Sequence, residues 1–232
     1  MAATRSFSLI IPVYNEAEIA AFYLSQLPYQ PNVEILVVDG GSGGATLEIC
    51  RTFPVQVLLA PNLGRAQQMN YGALQARGEI LLFLHLDSQL PANFQLQILQ
   101  VLNQPRVVAG AFRFRVACPG FKFRLLEALV NYRSRYCSLP YGDQALFLEA
   151  KTFAAIGGFA HLPIMEDYEI VQRLKGRGKI ALTQGAILTS GRRWQRLGFW
   201  HTTLLNQAIV LGYHARISPA QLARWYRHQG DK

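Results

Sequence analysis

Residues 33–44 read VEILVVDGGSGG: an apolar run, Val33–Val38, that ends on Asp39 and then on glycines around Ser42. A strand whose residues do not alternate between apolar and polar is buried on both faces, the mark of a parallel sheet covered by helices. The same kind of run recurs at Phe7–Val13, Val55–Ala60 and Ile80–Leu84, with helical patterns at Glu16–Leu27, Ala45–Phe53 and Arg65–Arg77 between them. Strand, helix, strand at this spacing predicts βαβ units wound right-handedly into an open sheet. Beyond Pro91 the pattern is mixed. Asn93–Asn103 reads as a helix, Val107–Val116 as a strand and Phe121–Tyr136 as an amphipathic basic helix. Gln144–Glu149 reads as a strand, and Glu166–Arg177, Phe199–Tyr213 and Pro219–His228 as helices. The fold class expected is α/β: an open, mainly parallel, Rossmann-like sheet flanked by helices, with further helices at the C-terminus.

Composition narrows the class. Half of the 232 residues are hydrophobic and 16% are charged, which excludes a disordered or fibrous chain. The three cysteines, Cys50, Cys118 and Cys137, are odd in number and irregularly spaced. That is neither a disulfide framework nor a zinc pattern, and it predicts a reducing, cytoplasmic setting. The opening apolar run is too short for a signal peptide, and no window is long and apolar enough for a membrane span. No repeat or linker divides the chain, so the expectation is one domain over 1–232: a nucleotide-fold half, 1–90, and a half, 91–232, that completes the site. Net charge is +9, and from Arg192 to Lys232 seven basic side chains stand against Asp231 alone. Such a segment is a solvated basic face or a surface that attracts anions.

In open α/β sheets ligands bind beyond the carboxyl ends of the strands, so the residues that follow each run carry the functional expectation. After the first come Pro12-Val13-Tyr14-Asn15-Glu16, where Asn15 is suited to cap the next helix. After the second, Asp39 and its glycines form either a plain turn or a carboxylate for a base or ribose, beside backbone that permits close approach. Arg65, at the start of a helix after Gly64, suits an anion or a nucleobase carbonyl. In an extended segment His85 and Asp87 point the same way, and both are eligible ligands for a divalent metal. Glu166 and Asp167 open a helix, where the dipole favours acids, and either is eligible as a general base. Ser190-Gly191-Arg192-Arg193-Trp194 joins two guanidinium groups to an aromatic ring, as a phosphate clamp or a surface patch.

Taken in order, SLIIPVYNE, EILVVDGGS, NLGRAQQMNYGALQARGEILLFLHLD and PIMEDYEIVQRLKGRGKI resemble the blocks of the family 2 glycosyltransferases of the GT-A fold. The resemblance runs from Ser8 to about Lys179, with Arg-Arg-Trp as a weaker late match. GRAQQMN and FLHLD look similar to a compact, single-domain bacterial subgroup. The resemblance implies that Asp39 reads the nucleobase, that Pro12 lines the same pocket and that Arg65 lies near base and diphosphate. It implies that Asp87 is the last acid of an Asp-x-Asp element holding Mn²⁺ or Mg²⁺, and that Asp167, with Glu166 beside it, is the catalytic base. It places Arg193 and Trp194 near the donor diphosphate. Three departures stand out. His85 replaces the first acid of Asp-x-Asp, as a ligand or as a partner of metal-bound water, which favours Mn²⁺. The glycine loop lacks a further aspartate after Ser42, and Ser190 replaces a glutamine.

The function the resemblance implies is metal-dependent, inverting transfer of a sugar from a nucleotide-diphosphate donor, UDP-sugar first and GDP-sugar second, to a hydroxyl acceptor. It makes 1–90 the nucleotide-binding half and 91–232 the acceptor-side half. The sequence leaves the acceptor and the oligomeric state open. Phe199–Tyr213, apolar with arginines at both ends, makes a peripheral contact with the inner face of a membrane and a lipid-linked acceptor one expectation, against simple packing on the core. Two rivals are a non-catalytic nucleotide- or RNA-binding protein and a nucleotidyltransferase. The glycine-aromatic signatures of RNA recognition are absent, and PVYNE is not the glycine-rich basic loop a nucleotidyltransferase needs.

Overall fold

A computed structural model describes residues 5–228; Asp231 and Lys232 of the basic segment lie outside the described residues. The elements run β1 (Phe7–Val13), α1 (Ala17–Leu24), β2 (Val33–Asp39), α2 (Gly44–Arg51), β3 (Gln56–Leu59), α3 (Arg65–Gln75), β4 (Ile80–Phe83), β5 (Ser88–Gln89) and α4 (Phe94–Leu102). They continue with β6 (Val107–Val116), α5 (Phe121–Tyr136), a 3-10 turn (Gly142–Gln144), β7 (Phe147–Glu149), α6 (Ala150–Ala155), α7 (Glu166–Lys175), β8 (Lys179–Thr189), α8 (Arg192–Leu197), α9 (Phe199–His214) and α10 (Pro219–His228).

One eight-stranded sheet has the order β3-β2-β1-β4-β7-β6-β8-β5, so both halves of the chain build it. Its first four strands are parallel, as their apolar runs predict. β7 is antiparallel to β4 and β6, and β8 returns parallel to β6. Successive residues of β1 serve opposite faces. Leu9 and Ile11 pack with Val37 and Leu82 against α1, α2 and α4, while Ile10 packs with Leu36, Val38 and Leu81 against α3, α6 and α7. β3 departs from the expectation of two-sided burial because it is the edge strand, with Gln56 and Leu59 exposed.

The sheet cannot be flat. β4 and β5 stand four places apart in the order, about 19 Å in a flat sheet. The five residue steps from Phe83 to Ser88 span at most about 18 Å when fully extended, and this segment turns, with the Ser88 amide donating to His85 O. The sheet therefore curls, helped by irregularities in the β6–β8 register at Val107–Ala109 and Ala111–Arg113. The expected strand over Gln144–Glu149 is shorter, because Gln144 ends the 3-10 turn and Ala145 adopts a left-handed backbone. β5, β8, α6 and α8 are elements the sequence patterns do not announce.

Candidate active site

At the carboxyl end of β2, Asp39 is buried and its Oδ2 accepts the amides of Gly41 and Ser42, both at 2.8 Å. The turn reading is thus real, and Gly41 is needed there because its φ is 92°. Oδ1 of the same carboxylate is buried without a partner among the described residues, an acceptor free for a donor from outside. Pro12 lies on the neighbouring strand, one step before Asp39 in register. Asn15 does not cap α1. Its own φ is 51°, its amide donates to Ser42 Oγ and its Oδ1 accepts the Gly43 amide, so it closes the glycine loop instead. Below this pocket Gln68 donates from Nε2 to Val13 O at 2.8 Å and to Val38 O at 2.7 Å, joining the ends of β1 and β2.

His85 and Asp87 lie in a turn after β4, not in an extended segment, and they face different groups. The turn is fastened to β8: the Ser190 amide donates to Asp87 O, and the Ser88 and Thr189 hydroxyls meet at 3.2 Å. Asp87 pairs with Arg192 at 3.3 Å. Glu16 faces the same basin. Burial, and then Asp87, push its carboxyl up to about 7, with Arg192 and Arg65 opposing. His85 looks the other way. A side chain built on Gly142 would come within 3.2 Å of its Nε2 and 3.1 Å of Asp167 Oδ2. Burial, with Arg65 adding to it, holds His85 down at about 3, so the imidazole is neutral and keeps a lone pair.

A narrow cleft is lined by Arg65, His85, Tyr141, Gly142, Glu166 and Asp167 above an apolar floor that includes Met69 and Phe83. Glu166 is 5% exposed and faces half-exposed Arg65 at 3.7 Å. Burial raises its pKa, Arg65 works against that, and Asp167 adds to it. Asp167 Oδ2 accepts the Gly142 amide at 2.7 Å, and Oδ1 accepts the Tyr168 amide at 2.7 Å. The residue before the two acids, Met165, holds a left-handed φ of 68° while buried. Strain of this kind in a bulky residue is tolerated where the surroundings fix it, often beside functional groups.

Arg193 and Trp194 are not in the cleft. Arg193 stacks on Tyr226 of α10, 3.8 Å from the ring centre, and bonds its hydroxyl. Trp194 packs near Phe114. It is Arg192 that reaches Asp87. The structure also adds an acid that sequence reasoning passed over: Asp143, in the 3-10 turn between Tyr141 and Gln144. Burial raises its carboxyl to about 6, Arg133 opposes this, and Asp167 and Asp87 add to it; its Oδ1 is buried and unpartnered among the described residues.

Among the described residues no three His, Cys, Asp or Glu side chains converge as a metal cage. Mg²⁺ needs none: it keeps waters and binds through one or two carboxylates plus substrate phosphates. Asp87, with Glu16 nearby, fits that pattern.

The sequence model of the family described as glycosyl transferase family 2 matches residues 8–162. An uncharacterized glycosyltransferase of Haemophilus influenzae is 36% identical over 180 residues, 72% of this chain and 61% of the relative, so the chain spans about three fifths of that protein. The glycosyltransferase AglE of Haloferax volcanii is 39% identical over 98 residues, 38% of this chain and 32% of the relative. Among solved structures, a mannosyltransferase from Pyrobaculum calidifontis in complex with GDP-Man and Mn²⁺ superposes with a TM-score of 0.65 at 18% identity, over 98% of this chain and 70% of that one. S. aureus TarS in complex with UDP-GlcNAc gives 0.60 at 17%, over 80% and 58%. At these identities the likeness establishes a shared GT-A fold.

Proposed function

The chain belongs to glycosyl transferase family 2, and from that premise we propose that it is a metal-dependent, inverting glycosyltransferase that uses a nucleotide-diphosphate sugar. The observation that carries the proposal is the pairing of charges around one basin. Asp87 with Arg192 lies on one side, Arg65 with Glu166 on the other, and Glu16 senses Asp87 and both arginines. Asp39 Oδ1 accepts an N–H of the base. Uracil and guanine both offer one, and the order UDP-sugar first, GDP-sugar second is kept, with Pro12 against the base. Mn²⁺ or Mg²⁺, when bound, neutralises charge on the leaving diphosphate.

Asp87 would be the carboxylate that holds the ion. Neutral His85, expected as a ligand or as a partner of metal-bound water, faces Asp167 in the structure and would act on the ion only by turning from that place or through a water. Arg192 is released from Asp87 to meet phosphate oxygens, and Arg65 reaches them from the cleft. Asp167, with Glu166 beside it, takes the proton of the acceptor hydroxyl as that oxygen attacks the anomeric carbon on the face opposite the diphosphate. The new C–O bond forms as the old one breaks, and the Gly142 and Tyr168 amides keep the base aimed. Arg193 and Trp194 join the donor site only by leaving the places described above. The two halves of the chain work as one domain in the cytoplasm, at the inner face of a membrane. No helix among the described residues is long and apolar enough to cross one.

Incubation with a panel of nucleotide sugars, each with Mn²⁺, Mg²⁺ or a chelator, tests this. Free UDP or GDP that depends on the ion supports the proposal. Pyrophosphate would make the protein a nucleotidyltransferase, and nucleotide binding without any product would make it a binding protein.

A further inference from the structure

Helix α5 has two apolar faces, and only one is used by the core. Its inner face sets Phe123, Leu126 and Val130 against Phe199 and Trp194. The same face sends Asn131 to the backbone of Phe114 and Glu127 to the amide of Val116, which fastens the helix along β6. On the outer face Phe121, Leu125, Leu129, Tyr132 and Tyr136 recur at steps of four, four, three and four. That is one continuous helical stripe. All five are between 49% and 82% exposed.

α9 repeats the arrangement. Its inner side packs Ile209 with Met165, Tyr168 and Leu222, while Trp200, Leu204 and Leu211 are 64–71% exposed. The starts of the two helices touch, since Phe123 and Phe199 meet edge-on at 5.3 Å. Cations surround both stripes. Lys122 and Arg135 are exposed on α5, Arg216 follows α9, and Arg224 and Arg227 lie on α10. The one acid of α5, Glu127, is already paired with Arg124 at 2.7 Å. From Arg192 to Arg227 the sequence has no Asp or Glu at all.

We propose that the outer faces of α5 and α9 form a docking surface for a bilayer bearing anionic headgroups. Charge selects the lipid over a second copy of the chain. A two-fold pairing of these faces sets Lys122 and Arg135 against cations of the same kind, whereas an anionic bilayer complements them. The rings suit that depth as well, because Tyr132, Tyr136 and Trp200 combine an apolar body with a polar tip. The surface is continuous with the cleft. Arg133, next to Tyr132, stacks 3.6 Å from the centre of Tyr141, which lines it. The inference rests on the membrane placement proposed above, but it is read by lipid binding, without turnover.

Sedimentation of the full chain with phosphatidylcholine vesicles, with and without phosphatidylglycerol, at low and high salt, is the test. The protein is expected in the pellet only with phosphatidylglycerol and to be released by salt. Leu125→Gln with Leu129→Gln should lower partitioning at least about tenfold at unchanged net charge. Lys122→Gln with Arg135→Gln should weaken binding and flatten its salt response. Circular dichroism and UDP or GDP binding should match the native protein in both variants. The proposal is overturned if the native protein stays in the supernatant at low salt, or if both double variants pellet like it. It is equally overturned if light scattering shows a dimer that Leu125→Gln with Leu129→Gln dissociates. Vesicle binding without any sugar-nucleotide turnover would keep the surface and sink the proposed function, and the reverse result would do the opposite.

Discussion

Replacing Asp167 by Asn removes a proton acceptor and changes almost nothing in volume. The loss of a positioned general base costs about 10²–10⁴ in rate, or about 2.7–5.5 kcal/mol of transition-state stabilisation. The structure adds a second cost. Asp167 accepts one amide on each oxygen, Gly142 on Oδ2 and Tyr168 on Oδ1. An asparagine has one oxygen, so one of those amides must face an NH₂ group. Losing one hydrogen bond to a charged acceptor costs about 1.5–3 kcal/mol, which in a chain of this size lowers Tm by roughly 3–12 °C. The folded variant should therefore melt earlier, bind UDP or GDP with Mn²⁺ as the native protein does, and turn over at least about 10²-fold more slowly. Calorimetric binding, a melting curve and kcat with saturating donor separate the three. A near-native kcat refutes the assignment, as does a collapse of donor affinity with kcat preserved. If Glu166→Gln alone shows the kcat loss, the role passes to Glu166.

Asp87→Asn should abolish ion-dependent nucleotide binding while shifting unfolding free energy by at most about 1 kcal/mol, since its pair with half-exposed Arg192 is worth little; urea titration and calorimetry read the two effects. Gln68→Leu removes the side-chain donor from Val38 O and from Val13 O, which keeps the Gly40 amide, and should cost about 1–3 kcal/mol in urea unfolding; an unchanged midpoint would show Val38 O to be otherwise satisfied. Asp143 ionises in the fold only near pH 6 instead of the ordinary 3.8. Its protonated form therefore favours folding below that ordinary value, and the advantage fades as pH rises to about 6. In chelator, Asp143→Asn should remove this fall, worth up to about 3 kcal/mol, and parallel stability–pH curves for the two proteins would contradict it.

The parallel half of the sheet is legible in the sequence because β1, β2 and β4 are buried on both faces, which leaves an unbroken apolar signature. β8 is not. Thr183, Gln184 and Gly185 interrupt its apolar residues, and its burial follows its neighbours rather than a period of two. β5 has two residues and exists only because β8 lies beside it. In the site, chemistry is legible where it follows a strand: Asp39, Arg65, His85 and Asp87 stand there. Direction is not. His85 turns to Asp167 because the chain bends after Leu84, and adjacent arginines on α8 lie about 100° apart, so a one-residue difference sends Arg192 to Asp87 and Arg193 to Tyr226. Asp143 follows no strand and opens no long helix, so nothing in the sequence pattern marks it as near enough for Asp167 and Asp87 to act on its carboxyl.

The short chord from β4 to β5 also sets an order of assembly. Ser88 finds Thr189 across a sequence separation of 101 residues. At about 5–20 residues per second, a ribosome needs roughly 5–20 s to deliver that partner. Through that interval the first four strands already have their parallel neighbours, while the loop that carries Asp87 has no wall to lean on. Asp87, proposed above to hold the metal ion, thus emerges about a hundred residues ahead of the strand that seats its turn, so the parallel half of the sheet can form while this carboxylate still lacks its place.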